Sequence, residues 1–433
     1  MSIRQARSSI FRRTAAAAAA AAAASGLLFG AAQAATITLP EALAAASGNL
    51  DVAIANRNLG AAQADVLAAD HAPLPQLSAK LSQIDLQNGI GGGNPVTGKR
   101  IDKGVGLDWT WERGDKRGLR TEAARRGAQA AAADLDEVRT QQLLAAQAAF
   151  YELLAAQGRI EQLTDIERHA RETAVVARKR LSAGDVAAQD AARAEIEAER
   201  VQADTESARL DVQRAQLVLA QVTGRESQAA ELQAQAPWPA ADASVAAQAL
   251  EPIIEQRADV RAATERVRAA EAALSGANAQ RSSDITWGAS FDHYPGTSTR
   301  QLEFRLSMPL AFGYRYEGEI GRGQAQLDQS RDALEKTRRM AAAELQALRA
   351  ASTTAAQRLR RYELEIVPRS REVAARAELA YGKGAMPLTD LLDARRTLRA
   401  VLLEALAART DLAKAQGAWL IRSRTEVALP ALR

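Results

Sequence analysis

The chain has 433 residues with 56 Lys and Arg against 52 Asp and Glu, three His and no Cys. The lack of cysteine excludes a disulfide framework, a cysteine-ligated metal site and a lipid-modified N-terminal cysteine. Four of the arginines and no acid fall in residues 1–34, so the rest carries 52 basic against 52 acidic residues and offers nucleic acid no global attraction.

Residues 1–34 read as a secretory signal. Arg4, Arg7, Arg12 and Arg13 form a positive start, an alanine-rich apolar run extends from Ala15 to Ala32, and Ala32-Gln33-Ala34 supplies a cleavage pattern. Beyond it no segment approaches the roughly 18 uninterrupted apolar residues of a membrane-spanning helix. Any membrane-embedded part must therefore be made of strands.

The exported chain opens with Thr38-Leu39-Pro40-Glu41-Ala42-Leu43 and a helical stretch. A strand is predicted over Leu77–Gln87, followed by a loop, Asn88–Lys103, with Gly91-Gly92-Gly93 at its centre. Val105, Leu107, Trp109 and Trp111 then alternate with Gly106, Asp108 and Thr110, a second strand. From Arg117 to Leu181 an uninterrupted Ala-, Gln-, Glu-, Arg- and Leu-rich stretch predicts one helix on the order of 100 Å long. Alanine along its seams would allow close helix approach. Gly184 ends this helix, where glycine commonly supplies a left-handed cap, and Asp190 falls in the first turn of a returning helix. Ala236-Pro237-Trp238-Pro239 reads as a linker.

The second half repeats this order. Ile285, Trp287, Ala289 and Phe291 alternate with small polar residues, a turn follows at Pro295-Gly296, and Leu302, Phe304, Leu306, Met308 and Leu310 alternate again. Each half thus carries a β-hairpin. A long helix containing Pro368 leads to Gly384 and a returning helix with Asp390. Shifting the sequence by 200 residues superposes Arg171-Glu172 on Arg371-Glu372, Gly184 on Gly384, Asp190 on Asp390 and Asp211 on Asp411. A tandem duplication, 35–235 and 236–433, is the simplest account. Pro368 should bend its helix, whereas its counterpart Arg168 should not.

Aromatic residues gather in and beside the strands: Trp109, Trp111, Trp287, Phe291, Phe304 and Phe312 are expected to face lipid. A half-buried soluble sheet is the other reading of this pattern. Helices this long provide no obvious core for such a sheet, which favours the barrel. Four strands cannot close one, and open edges are not tolerated in lipid, so several copies must each donate their strands.

The layout of signal, helix, hairpin, two long helices and linker, then the same again, resembles the TolC-like outer-membrane factors. Beyond Thr38–Leu43, the resemblance rests on Ser307-Met308-Pro309-Leu310, on Tyr381-Gly382-Lys383-Gly384, and on Leu388-Thr389-Asp390-Leu391-Leu392-Asp393 with Ala394-Arg395-Arg396-Thr397-Leu398. It implies a mainly α fold with a membrane β-barrel portion. Three protomers would share a twelve-stranded barrel in the outer membrane and form an α-helical periplasmic tunnel. It also implies a periplasmic adaptor and an inner-membrane RND pump as partners, with no cofactor and no enzymatic activity. Glu112-Arg113-Gly114-Asp115-Lys116-Arg117 resembles the E-x-G-G-K-R element of the CzcC-type heavy-metal subgroup, with Asp115 where Gly is usual.

By the same resemblance, the tips Gly184-Asp185-Val186 and Gly384-Ala385-Met386 are expected to meet the adaptor, though helix capping alone would also explain both glycines. Asp190 and Asp390 are candidate gate or tip acids, and a dipole-complementing role would equally place them there. His71, His169 and His293 are dispersed and show no metal-ligand spacing. A drug or polypeptide channel of the same fold, and a periplasmic coiled-coil adaptor, are the competing expectations.

Overall fold

The computed structural model describes residues 35–83, 87–88, 92–93, 100–241, 249–295 and 298–423. The signal (1–34), most of the glycine-rich loop and Gly296 of the second hairpin turn lie outside the described residues. The described chain packs as two compact units, 35–42 with 149–221 and 225–237, and 43–148 with 222–224 and 238–423.

The elements in order are β1 (Ala35–Ile37), α1 (Leu39–Ala46), α2 (Leu50–Ala69), β2 (Gln76–Ser82), β3 (Asp102–Trp111), α3 (Lys116–Ser182) and α4 (Ala188–Thr223). They continue with β4 (Leu232–Ala234), α5 (Leu250–Gln256), α6 (Ala258–Ala279), β5 (Ile285–Tyr294), β6 (Ser298–Ser307), α7 (Glu317–Arg361), a π-helical turn (Tyr362–Ile366), α8 (Val367–Gly382) and α9 (Leu388–Arg422). The helix expected from Arg117 to Leu181 is continuous over 67 residues. Composition explains this: within it Gly118, Gly127 and Gly158 are the only breakers and proline is absent.

In the first unit, β1 pairs in parallel with β4, joining Ala35 to Leu232 and Ile37 to Ala234. Gln157 and Gln216 tie this small sheet to the long helices, accepting from the Ala234 amide at 3.0 Å and donating to the Leu232 carbonyl at 2.9 Å respectively. At the start of α1 the Glu41 carboxylate reaches back to Thr38, the carboxylate half of a capping box, accepting from the Thr38 amide at 2.8 Å and from its hydroxyl at 2.9 Å. The backbone bond from Thr38 holds the Glu41 carboxyl below its usual range. Ala174 and Ala177 of α3, and Ala191, Ala194 and Ala198 of α4, are buried at helical spacing, as are the larger Phe150, Leu153, Leu163 and Leu219.

In the second unit, Ile254, Val260, Ala341, Leu345 and Trp419 form one apolar cluster, and Ala355, Leu359, Ala408 and Leu412 another. Beside the first runs a chain of charges. The buried Arg257 pairs with Asp259 at 2.8 Å and Glu344 at 2.7 Å, and Glu344 also pairs with Arg422 at 3.0 Å. Arg422 reaches Glu137 on α3 at 2.8 Å, so one ionic chain ties α3, α6, α7 and α9. Breaking such a pair costs more than its net contribution, because a buried charge would be left uncompensated.

Pro368 acts on the turn before it. It lacks the amide that Leu364 would have received, and the helix absorbs the loss by widening: the Val367 amide donates to the Tyr362 carbonyl, five residues back. The corresponding stretch of α3, around Arg168, stays α-helical.

The four longer strands form one antiparallel sheet in the order β2-β3-β5-β6. The two expected hairpins are present, and β3 pairs with β5 to join them. Their ends differ from expectation. β2 stops at Ser82, β3 begins at Asp102 rather than Val105, and β5 runs on to Tyr294. β6 ends at Ser307, so Met308 and Leu310 fall beyond the ladder; Pro309, which has no amide to donate, follows this end.

Candidate functional site: the two-faced sheet and the hairpin tips

The sheet is inverted relative to one in a soluble protein. Along β3, Asp102, Gly104 and Gly106 are buried whereas Val105, Leu107, Trp109 and Trp111 are exposed. The antiparallel register aligns the apolar rows: Val105 faces Phe291 and then Leu302, and Leu107 faces Ala289 and then Phe304. Trp109 faces Trp287 and then Leu306. Among the aromatics expected to face lipid, Trp109 is 56%, Phe304 77% and Phe312 86% exposed, and Trp111, Trp287 and Phe291 are exposed as well. So large an apolar patch does not persist on a soluble monomer.

The opposite face is polar and tightly fitted. Gly104 stands opposite Asp292 and Gly288 opposite Asp108, so each carboxylate of one strand lies over a glycine of the other. A Cβ at either glycine would collide with that carboxylate. Asp108 pairs with Arg305 at 2.6 Å, Asp292 accepts from Ser290 at 2.6 Å, and the Thr110 and Thr286 hydroxyls lie 2.8 Å apart. Asp102, Asp108, Asp292 and Glu303 share this face with Lys80 and Arg305, making it net acidic.

Every residue of the Glu112–Arg117 element except Arg113, whose backbone alone takes part, uses its side chain or conformation at the junction between β3 and α3. The Arg113 amide and the Lys116 ammonium both donate to Asp284, at 3.0 and 2.8 Å. Glu112 takes a two-pronged contact from Arg120, and Arg117 donates to Asp70 at 3.0 Å. Gly114 and Asp115 have φ of +74° and +55°. Asp115, standing where the related element has Gly, tolerates the left-handed conformation better than most residues, and its carbonyl accepts the first α3 bond from Leu119 at 3.0 Å.

The two tips are built alike. In the first unit the Gly184 amide donates to the Leu181 carbonyl and the Asp185 amide to Arg180; in the second, Gly384 donates to Tyr381 and Ala385 to Ala380. These are Schellman caps, with Gly184 and Gly384 at φ +82° and +73°. Gly184, Asp185, Gly384 and Ala385 are exposed, while Val186 and Met386 are half-buried. Asp190 lies 3.7 Å from Arg193 and Asp390 accepts from the Thr389 hydroxyl at 3.3 Å, each in the first turn of its helix. Behind each tip an ion pair bridges the two helices, with the charges exchanged between the tips: Arg178 meets Glu195 at 2.6 Å, and at the positions 200 residues on, Glu378 meets Arg395 at 2.9 Å. His169 contacts the carbonyl of Asp165 in its own helix at 2.8 Å. Among the described residues no three His, Asp or Glu side chains gather as metal ligands.

The outer membrane efflux protein family model matches residues 39–225 and 249–418. No curated protein matches the chain. Among solved structures, a membrane protein from Pseudomonas aeruginosa superposes with a TM-score of 0.77 at 19% identity, over 89% of this chain and 93% of that one. CusC, described with transmembrane channel formation, gives 0.76 at 16% identity over 89% and 91%. VceC, an outer membrane protein of Vibrio cholerae, gives 0.75 at 18% identity over 89% and 95%. The chain belongs to the outer membrane efflux protein family, non-enzymatic channel proteins of the outer membrane.

Proposed function

We propose that this protein is the outer-membrane channel subunit of a tripartite efflux assembly that exports divalent metal cations of the zinc, cobalt and cadmium type. The inverted sheet carries the channel part of this reading. An exposed apolar face suits lipid, a net acidic polar face suits a water-filled lumen, and the outer edges of β2 and β6, unpaired among the described residues, require further copies to close the barrel. Three copies would supply twelve strands. The glycine tips would receive the hairpins of a periplasmic adaptor, with Gly184, Asp185, Val186, Gly384, Ala385 and Met386 at the contact, and an inner-membrane RND pump would complete the assembly. Asp190 and Asp390 would add negative charge just behind the tips. The two halves, 35–235 and 236–433, would derive from one duplicated ancestor.

The metal reading is supported by the Glu112–Arg117 resemblance and by the net acidic polar face, which favours cations over anions without demanding a tight site. Deleting the gene tests it. Loss of resistance to zinc, cobalt and cadmium, restored by the intact gene, is the expected result. Sensitivity to organic compounds with unchanged metal resistance would instead make this a drug channel on the same fold.

A further inference from the structure

We infer that the loop-end border of the apolar sheet face is a binding row for the phosphate groups of an outer-leaflet glycolipid, formed by Lys103, His293 and Arg300. The inference rests on the lipid-facing reading of the sheet. Lys103 stands directly opposite His293 in the β3–β5 ladder, one row beyond Val105 and Phe291. Arg300 is exposed in β6, within the irregular stretch where the register shifts between Asp292 and Tyr294. Three adjacent strand ends thus bring three nitrogen-bearing side chains to one border. Each of the three also makes an interaction within the protein.

Position and charge identify the occupant. From Trp111 to Lys103 along β3 the chain covers about 26 Å, or about 20 Å along the membrane normal for strands tilted ~40°. That is close to the height of an outer-membrane apolar band, so the row falls where hydrocarbon gives way to headgroups. The helix-proximal border is different: Trp109, Trp111 and Trp287 occupy it, the uncharged amphipathic side chains that suit an interface. Among the described residues, the carboxylates next to the row in sequence, Asp102 and Asp292, are buried and belong to the opposite face. Lysine and arginine suit phosphate as point charge and fork, and histidine offers a donor nitrogen in either protonation state.

The test uses the mature protein extracted in detergent and native mass spectrometry with three probe lipids: bisphosphorylated lipid A, its dephosphorylated form, and phosphatidylethanolamine. The bisphosphorylated lipid should bind at least tenfold more tightly than either of the others. The triple variant Lys103→Gln, His293→Gln, Arg300→Gln should lose that preference while remaining a detergent-dependent oligomer, and Lys103→Arg should keep it. A detergent-dependent oligomer whose preference survives the triple substitution, or a wild type with no preference, overturns this proposal alone. A protein that needs no detergent overturns the lipid-facing reading and the proposal with it.

Discussion

Gly417→Leu is expected to abolish accumulation of the folded protein. Gly417 lies on α9 where a Cβ would overlap the side-chain amide of Gln147 and come within 2.9 Å of its Cγ. Gln147 is 3% exposed and donates through Nε2 to the Ala413 carbonyl at 2.8 Å, so its side chain lies flat against the α9 backbone. A leucine would expel it. Stranding a buried amide costs about 1–3 kcal/mol and overpacking a filled interior about another 1–3 kcal/mol. Set against a typical total stability of roughly 5–15 kcal/mol, the sum is large. Heat-stable protein in isolated outer membranes, measured by immunoblot, should fall at least tenfold. The double variant Gln147→Ala, Gly417→Ala should recover most of it, because shortening Gln147 vacates the space the new Cβ needs.

Gly384→Val is expected to do the reverse: leave abundance near normal and remove export. At φ +73° a β-branched residue is strained by about 1–2 kcal/mol, yet a Cβ at this position meets nothing within 4 Å. The strain is small beside the apolar clusters and ionic chain of the same unit. The local effect is on the Schellman turn, whose bonds from Gly384 to Tyr381 and from Ala385 to Ala380 fix the tip. A tip that must fit an adaptor should lose crosslinking to it, and metal resistance should drop toward that of the deletion strain. Intact crosslinking and resistance would reduce Gly384 to a helix cap. Gly184→Val should behave in the same way, because its turn carries the same two bonds at the same spacing.

The two glycines differ in how far the sequence alone reveals their surroundings. Gly384 was legible because its environment is local: a long helix, a glycine and a first-turn acid are signals within one stretch of chain. The long helix was legible for the same reason, as was the strand alternation of β3 and β5. Gly417 was not legible, since what constrains it is Gln147, which the fold delivers from 270 residues away in the other half of the chain. Non-local pairing also hid β1 and β4, each three residues long, whose only strong signal is each other. The ionic chain through Arg257, Glu344, Arg422 and Glu137 was hidden because charged residues at helical spacing read the same whether solvated or buried. Pro368 announced a disturbance but not its form, a π-turn that keeps the helix going. The Glu112–Arg117 element showed the opposite difficulty: its resemblance to a subgroup was visible first, and its bracing of the β3–α3 junction emerged only from the structure.

The central claim, that several copies close one barrel, is tested most directly at the sheet edges. Ser78 of β2 and Glu303 of β6 lie on the same face but at opposite edges of the sheet, with β3 and β5 between them. Three strand spacings, about 14 Å, put them beyond disulfide reach within one protomer. The chain has no cysteine of its own, so an introduced pair is unambiguous. Ser78→Cys should be combined in turn with Gln301→Cys, Glu303→Cys and Arg305→Cys, and oxidised in intact outer membranes. At least one pairing is expected to give covalent dimers and trimers on denaturing gels and nothing larger. Covalent monomers alone in every pairing, from protein that reaches the outer membrane, would contradict the shared barrel.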